Sequence, residues 1–397
     1  MDSERRKYKY YTEMEDDIMI EAWRVSATQY PKDLLSNADV TLFPTVCELS
    51  AELNGSWQLT VKQPVLDDGR FKFIEPGGII KAPSFNGIQY FRILKTELNY
   101  SEITAYAYPI FMDAMNWAFI TELNIENMSG SDAAKALNKF VPRGIRASVI
   151  SDITDKRTLN LKNVNLMTAI NGDDEDSSSL VNTYHGQIIY DNFVCYVNKT
   201  AGSDKGVVFR FGKNLNGITR TVSREKLTTR LFPISKDGYS MTTATPWVDE
   251  HRDYTGIAYA RSVVLENLEL ANESESNRNL RLTGGAQAVF LGEALTGNPL
   301  SQEDISYDLD IAYLLNSAEY KAAGIAESLS LGDIVTVKDE FFDIDYKAQI
   351  TKLTYDCIRE RVTSATVGQS LKNYFTLNSL RTISKDIKSW SIEDVNL

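Results

Sequence analysis

Six Asn-Gly or Asp-Gly pairs punctuate the chain, at Asn54-Gly55, Asp68-Gly69, Asn86-Gly87, Asn171-Gly172, Asn216-Gly217 and Asp237-Gly238. These residues tolerate the positive φ of tight turns, so such pairs reverse antiparallel strands at little steric cost. Each lies near a segment rich in β-branched and aromatic residues. Trp57-Gln58-Leu59-Thr60-Val61, Arg70-Phe71-Lys72-Phe73-Ile74 and Tyr90-Phe91-Arg92-Ile93-Leu94 alternate at period two, the mark of half-buried strands. The expected fold class is therefore α+β, β-rich and multi-domain. Residues 1–107 are expected to form an N-terminal β-barrel domain.

From Tyr108 the pattern changes, and 108–205 reads as a mixed α/β domain. Pro109–Phe119 is apolar and helix-compatible. Ser131–Phe140 reads as an amphipathic helix with Ser131 as N-cap and Ala134, Leu137 and Phe140 on one face, stopped by Pro142-Arg143-Gly144. Over 206–250 strands return, expected to rejoin the first barrel. The segment 251–330 is mixed, and Glu303–Glu327 is expected to be helical with Ile311, Leu314, Leu315 and Ala322 buried. Residues 331–370 supply strands of a second small β-barrel. The tail, 371–397, is suited to a short helix through Leu377, Leu380, Ile383, Ile387 and Trp390.

The stretch Val194–Ile218, with Gly206, Gly212 and Lys213, invites a phosphate-loop reading. A phosphate loop needs four residues between its glycines and a hydroxyl after the lysine. Here five residues separate Gly206 from Gly212, and Asn214 follows Lys213. Two strands, Phe193–Val197 and Val207–Phe211, joined as a hairpin and followed by a turn at Asn216-Gly217, account for the same residues.

Catalytic and metal chemistry finds few candidates. The two histidines, His185 and His251, stand apart with no HExxH spacing. Cys47, Cys195 and Cys357 form no C-x-x-C pair, and Cys195 sits inside a strand, where a buried thiol is inert. The acidic runs Asp173–Asp176 and Asp339–Asp345 lack the spacing of a calcium loop and read as solvated loops. No catalytic, cofactor-binding or metal-binding residue is therefore assigned, and no enzyme activity is expected. A net charge of −12 disfavours nucleic-acid binding while suiting a surface past which DNA slides. No apolar run reaches membrane-spanning length, and synthesis in a cytoplasm is expected.

Read with its flanks, Ser177–Ile218 resembles the signature region of siphophage tail-associated proteins, the family of prophage tail endopeptidases. Asp191-Asn192-Phe193 and Gly212-Lys213-Asn214-Leu215 match that signature, whereas Tyr184-His185-Gly186-Gln187 departs from its first turn and Tyr190 replaces its arginine. Glu52–Val61, Phe91–Ala107, Leu227–Gly238 and Leu331–Asp356 resemble the family in the same order. The resemblance implies a baseplate-hub-like fold, with small β-barrels plus an α/β domain, and a homotrimer at the tail tip. It further implies docking of the trimer on a hexameric distal tail protein, with the tape measure protein and receptor-binding proteins as further partners. DNA would pass through the hub without specific binding. Many relatives continue into a C-terminal lysin; ending at Leu397, this chain resembles the short form of lactococcal siphophages. A cell-wall-degrading enzyme and a saccharide-binding receptor protein are the alternatives.

Overall fold

The structure is a computed structural model that describes residues 20–24, 38–172, 178–210, 215–225, 227–250, 257–265, 268–295, 300–301, 303–311, 329–340 and 344–368. Its N-terminal strands are β1 (Ile20–Trp23), β2 (Val40–Leu42), β3 (Val46–Glu52), β4 (Trp57–Pro64), β5 (Ile79–Ser84), β6 (Gly87–Leu98) and β7 (Glu102–Pro109). Period two operates as the sequence predicts: along β4, Trp57, Leu59, Val61 and Gln63 are buried and the residues between them face outward or half outward. Asn54-Gly55 turns β3 into β4, and Ser84 pairs with Gly87 around the β5–β6 turn.

Next come α1 (Ala114–Trp117), β8 (Phe119–Ser129), α2 (Gly130–Asn138), β9 (Ser148–Ser151), β10 (Lys156–Asn165), α3 (Leu166–Asn171), α4 (Leu180–Tyr184), β11 (Gln187–Asp191) and β12 (Val194–Asn198). Strands β8 and β10 form a two-stranded ribbon, and β9, β12 and β11 a three-stranded sheet. The N-cap of α2 is Ser129, not Ser131: its hydroxyl accepts from the Asp132 amide at 3.2 Å. Ala134 and Leu137 are buried as expected, and Phe140 packs against the core from a half-buried position.

The remainder supplies β13 (Asp204–Arg210), β14 (Leu215–Ser223), β15 (Arg230–Ser235), β16 (Val248–Asp249), β17 (Ala260–Leu265), α5 (Glu275–Leu295), β18 (Asp304–Ile311), β19 (Ile334–Asp339), β20 (Ile344–Asp356) and β21 (Arg361–Gly368). One 13-stranded sheet contains β1–β7 together with β13, β14 and β18–β21. The N-terminal and C-terminal strand sets join where β20 pairs with β3, Lys352 opposite Glu52 through Asp356 opposite Glu48. Buried residues from both sets and from the α2–β12 segment form one continuous hydrophobic cluster.

Several expectations are corrected. Arg70–Phe73 is a 3-10 turn rather than a strand, launched from Gly69 at φ 71°. Asn171-Gly172 closes helix α3, with Gly172 at φ 83°, and reverses no strand. Asn216-Gly217 lies within β14 at a register shift, so it bends a strand instead of ending one. Strands β12 and β13 are no hairpin: β12 pairs with β11 and β9, while β13 runs parallel to β19. Within 206–250, β13 and β14 pair with C-terminal strands and β15 joins a separate sheet with β16 and β17, so none of these described strands pairs directly with β1–β7.

Residues 304–311 form a strand, not the start of a helix, because their polar and apolar residues alternate at period two. The helix of this region is α5, which the sequence hides behind Gly284-Gly285. A Cβ on Gly285 would lie 2.3 Å from Leu265 Cδ1 on β17, so that leucine side chain would have to turn aside. Ala286 and Phe290 of α5 pack with Leu231 of β15 in a small cluster of their own. The tail 371–397, the run Asp173–Asp176, residues 312–328 and His251 lie outside the described residues. Asp339 is buried rather than solvated, and Asp345 forms an ion pair with Lys338 at 2.7 Å. Among the described residues no helix is long and apolar enough to cross a membrane.

Candidate functional site

The signature residues Asp191, Asn192 and Phe193 form the tip between β11 and β12, where Asp191 pairs with Val194. So tight a loop demands a left-handed residue, and Asn192 takes it at φ 51°. That conformation aims its carboxamide at β6. Asn192 Oδ1 accepts from the Tyr90 amide at 3.0 Å, and Asn192 Nδ2 donates to the Ile88 carbonyl at 3.1 Å. Its own amide donates to Gln89 Oε1 at 2.6 Å, and Gln89 Nε2 donates back to Asp191 Oδ1 at 3.0 Å.

The reason for this arrangement lies in where β7 stops. Its pairing with β6 ends at Pro109 opposite Phe91, so the next residues of β6 lose their ladder on that side. A carboxamide offers the same donor and acceptor as a peptide unit, and Asn192 continues the ladder in place of a strand. Asn86 Nδ2 adds a bond to the Tyr190 carbonyl at 2.8 Å.

Asn54, on the β3–β4 turn at φ 54°, repeats the device at the other end of β11. It donates to the Gly186 carbonyl at 3.0 Å and accepts from the Ile188 amide at 2.7 Å. Gln187 and Gln349 exchange amide hydrogen bonds at 3.0 and 2.9 Å, which ties β11 to β20. Between these polar points Tyr190 is fully buried, with Trp57 edge-on at 5.3 Å and Phe111 at 6.0 Å. Together the contacts clamp the β11–β12 unit onto the large sheet. The arrangement positions and holds; it presents no nucleophile–base pair.

Of the signature residues, the structure brings Asp191, Asn192 and Phe193 together. Phe193 packs beside Trp23, Ile79, Tyr90 and Ile110, with the Arg146 guanidinium 5.7 Å above its ring. Leu215 is buried at the start of β14, opposite Ile311, remote in the sheet order from β6. Gly212, Lys213 and Asn214 lie outside the described residues. Asn54, Gln89, Gln187 and Gln349 escape sequence reading: Asn54 is visible only as a turn residue, and nothing marks the glutamines.

His185 ends α4 in the left-handed conformation at φ 55° and is exposed, the role of a helix C-cap. Cys195 is wholly buried, and burial pushes its thiol well above the ordinary value, which suppresses the reactive thiolate. Among the described residues no three metal-ligating side chains gather. A cavity of about 280 Å³ on the face of β18, β20 and β21 is lined by Asp308, Lys352, Thr354, Ser364 and Thr366 with three aliphatic residues and no aromatic ring.

Removing the Asn192 carboxamide by Asn192→Ala is expected to cost about 2–4 kcal/mol, from unpaired groups on β6 and from an alanine in left-handed geometry. Asn192→Gly should recover the backbone part only. Urea unfolding of the two variants measures the difference; equal losses would separate the effect from the turn conformation.

No family model matches the sequence, and no curated protein matches it. Solved structures do match in fold. Prophage tail protein gp18 from Listeria monocytogenes EGD-e is 13% identical, with a TM-score of 0.53 over 94% of this chain and 100% of that one. The tail protein from Neisseria meningitidis MC58 is 9% identical, with a TM-score of 0.56 over 89% and 97% of the two chains. The 43 kDa tail protein of prophage MuSo2 from Shewanella oneidensis is 13% identical, with a TM-score of 0.52 over 89% and 98%. The chain thus has a β-rich fold shared with phage tail proteins.

Proposed function

We propose that this protein is a structural hub at the distal tip of a siphophage tail, a homotrimer that closes the tail tube and opens when DNA leaves. The observation that carries the reading is the extent of the fold likeness: tail proteins are matched over nearly their whole length, not through one shared module. The ordered sequence resemblance to siphophage tail-associated proteins supports it from the other side. Closed cyclic symmetry buries matching faces without leaving open ends. In this reading three subunits sit beneath a hexameric distal tail protein, with the tape measure protein and receptor-binding proteins as neighbours. The acidic balance of −12 suits a passage that DNA crosses without adhering. The protein is made in the host cytoplasm and resides in the virion.

The role is structural and non-enzymatic. Asparagine and glutamine amides build the clamp, and such groups position chains without supplying a general base. Labelling the chain in intact particles should place it at the tail tip by electron microscopy. Zymography on host cell wall should give no clearing, and His185→Ala should change nothing there. Label along the tail shaft or on the capsid would contradict the hub. A clearing band lost in His185→Ala would instead support the wall-degrading enzyme.

A further inference from the structure

Cys47 and Cys357 lie at opposite ends of the chain, yet the fold sets them side by side. The β3–β20 register places Glu48 opposite Asp356, and one step further brings Cys47 opposite Cys357. The Cys357 amide donates to the Cys47 carbonyl at 2.8 Å. Hydrogen-bonded antiparallel partners have Cα atoms about 5.5 Å apart. That separation falls within the range of roughly 4.4–6.8 Å that a disulfide spans. Both thiols are buried, and both are free. A hydrogen bond with the Cys357 thiol, and then burial, hold the Cys47 thiol well above its usual value. Cys195 belongs to a different sheet.

We propose that Cys47 and Cys357 form a latent disulfide site, reduced as the protein is made and closed by exchange with a small-molecule disulfide in an oxidising medium. One protein thiol gives up its proton and attacks the small disulfide, which forms a mixed disulfide and releases one small thiol. The second protein thiolate then attacks the protein sulfur of that adduct, joins Cys47 Sγ to Cys357 Sγ and expels the second small thiol. Two protein thiols are oxidised, the reagent is reduced to two thiols, and the two protons leave with them.

The position gives the bond its consequence. The β3–β20 pairing is the link in the sheet order between β1–β7 and the C-terminal strands. A covalent bond there closes a loop containing most of the chain, the geometry with the largest entropic effect on the unfolded state. Burial and the raised Cys47 value make the exchange slow, because the thiolate is scarce and the reagent enters only on local opening. The inference stands independently of the hub reading.

The test uses the full chain and oxidised glutathione, applied both to the native protein and during refolding from urea, where access sets no limit. Intact mass should fall by about 2 Da without a glutathione adduct, as expected for one internal disulfide. Peptide mapping should show Cys47 joined to Cys357 with Cys195 still alkylated. The thermal midpoint of the oxidised protein should rise by about 5 °C. Cys47→Ser and Cys357→Ser should each abolish the mass change, and Cys195→Ser should not. The Cys47–Cys357 linkage by either route supports the proposal. Three alkylatable thiols after both routes, or a linkage through Cys195, would overturn it.

Discussion

Replacing Arg92 by alanine is expected to destabilise the protein by about 3–5 kcal/mol, since it strands a buried carboxylate. Arg92, on β6, meets Asp113 through two guanidinium nitrogens at 2.9 and 2.6 Å, and a third donates to the Gly77 carbonyl at 2.6 Å. Tyr108 completes the site with a 3.1 Å bond from its hydroxyl to Asp113 Oδ1. The side chains are only 11% and 5% exposed. A pair so enclosed owes its effect to desolvation: removing one partner leaves the other charged in a medium that solvates it poorly. Lys135 and Asp132 provide the contrast, an ion pair with side chains 71% and 56% exposed, where Lys135→Ala should cost less than about 0.5 kcal/mol. Replacing both buried partners, as Arg92→Met with Asp113→Leu, should recover much of the loss. Urea unfolding of the three variants decides it. Equal costs for Arg92→Ala and Lys135→Ala would contradict the account.

Gly202→Ala is expected to cost about 3 kcal/mol through backbone collision. In the connection between β12 and β13, a Cβ on Gly202 would lie 2.3 Å from Asp333 N and 2.4 Å from the Gly332 carbonyl oxygen. These are backbone atoms and have no rotamer by which to yield. The crossing is fastened by Asp333, whose carboxylate accepts from the Ser203 and Ser330 amides and from Lys205 Nζ at 3.0, 2.8 and 2.8 Å. It delivers β13 alongside β19, so hydrogen exchange in Val208–Arg210 should accelerate together with the loss of stability. Gly284 of α5 is the control: a Cβ there meets nothing within 4 Å, and Gly284→Ala should stabilise by about 1 kcal/mol through helix propensity. A neutral Gly202→Ala would mean that the two segments do not cross as described.

These sites show which parts of the fold a sequence displays. Strands β4 and β12 are legible because burial on one face writes period two into adjacent residues. The same rule holds in β18, where polar and apolar residues alternate, but this segment opens a longer run, Glu303–Glu327, whose spacing also suits a helix. Helix α5 is hidden by its glycine pair, of which Gly285 alone lies against Leu265. Pairing partners were the least legible feature. Val207–Arg210 is recognisably a strand, but nothing local says that its neighbour is β19 rather than β12.

The clamp divides in the same way. Asp191-Asn192-Phe193 is visible through resemblance, and an asparagine at a tight turn is visible through conformational preference. Its second role, standing in for the missing end of β7, depends on where Pro109 ends a strand remote in sequence. The closeness of Cys47 and Cys357 likewise emerges only when β3 and β20 pair. In the sequence Arg92 is one more polar residue on a strand, and its buried partner Asp113 sits inside an apolar run.

The central claim is a trimeric hub at the tail tip, and it is tested most directly by imaging the tip of purified particles with this chain located in the density. The account predicts three copies around the tail axis, in contact with a six-fold ring above them. One copy, six copies, or a position outside the tip would contradict it.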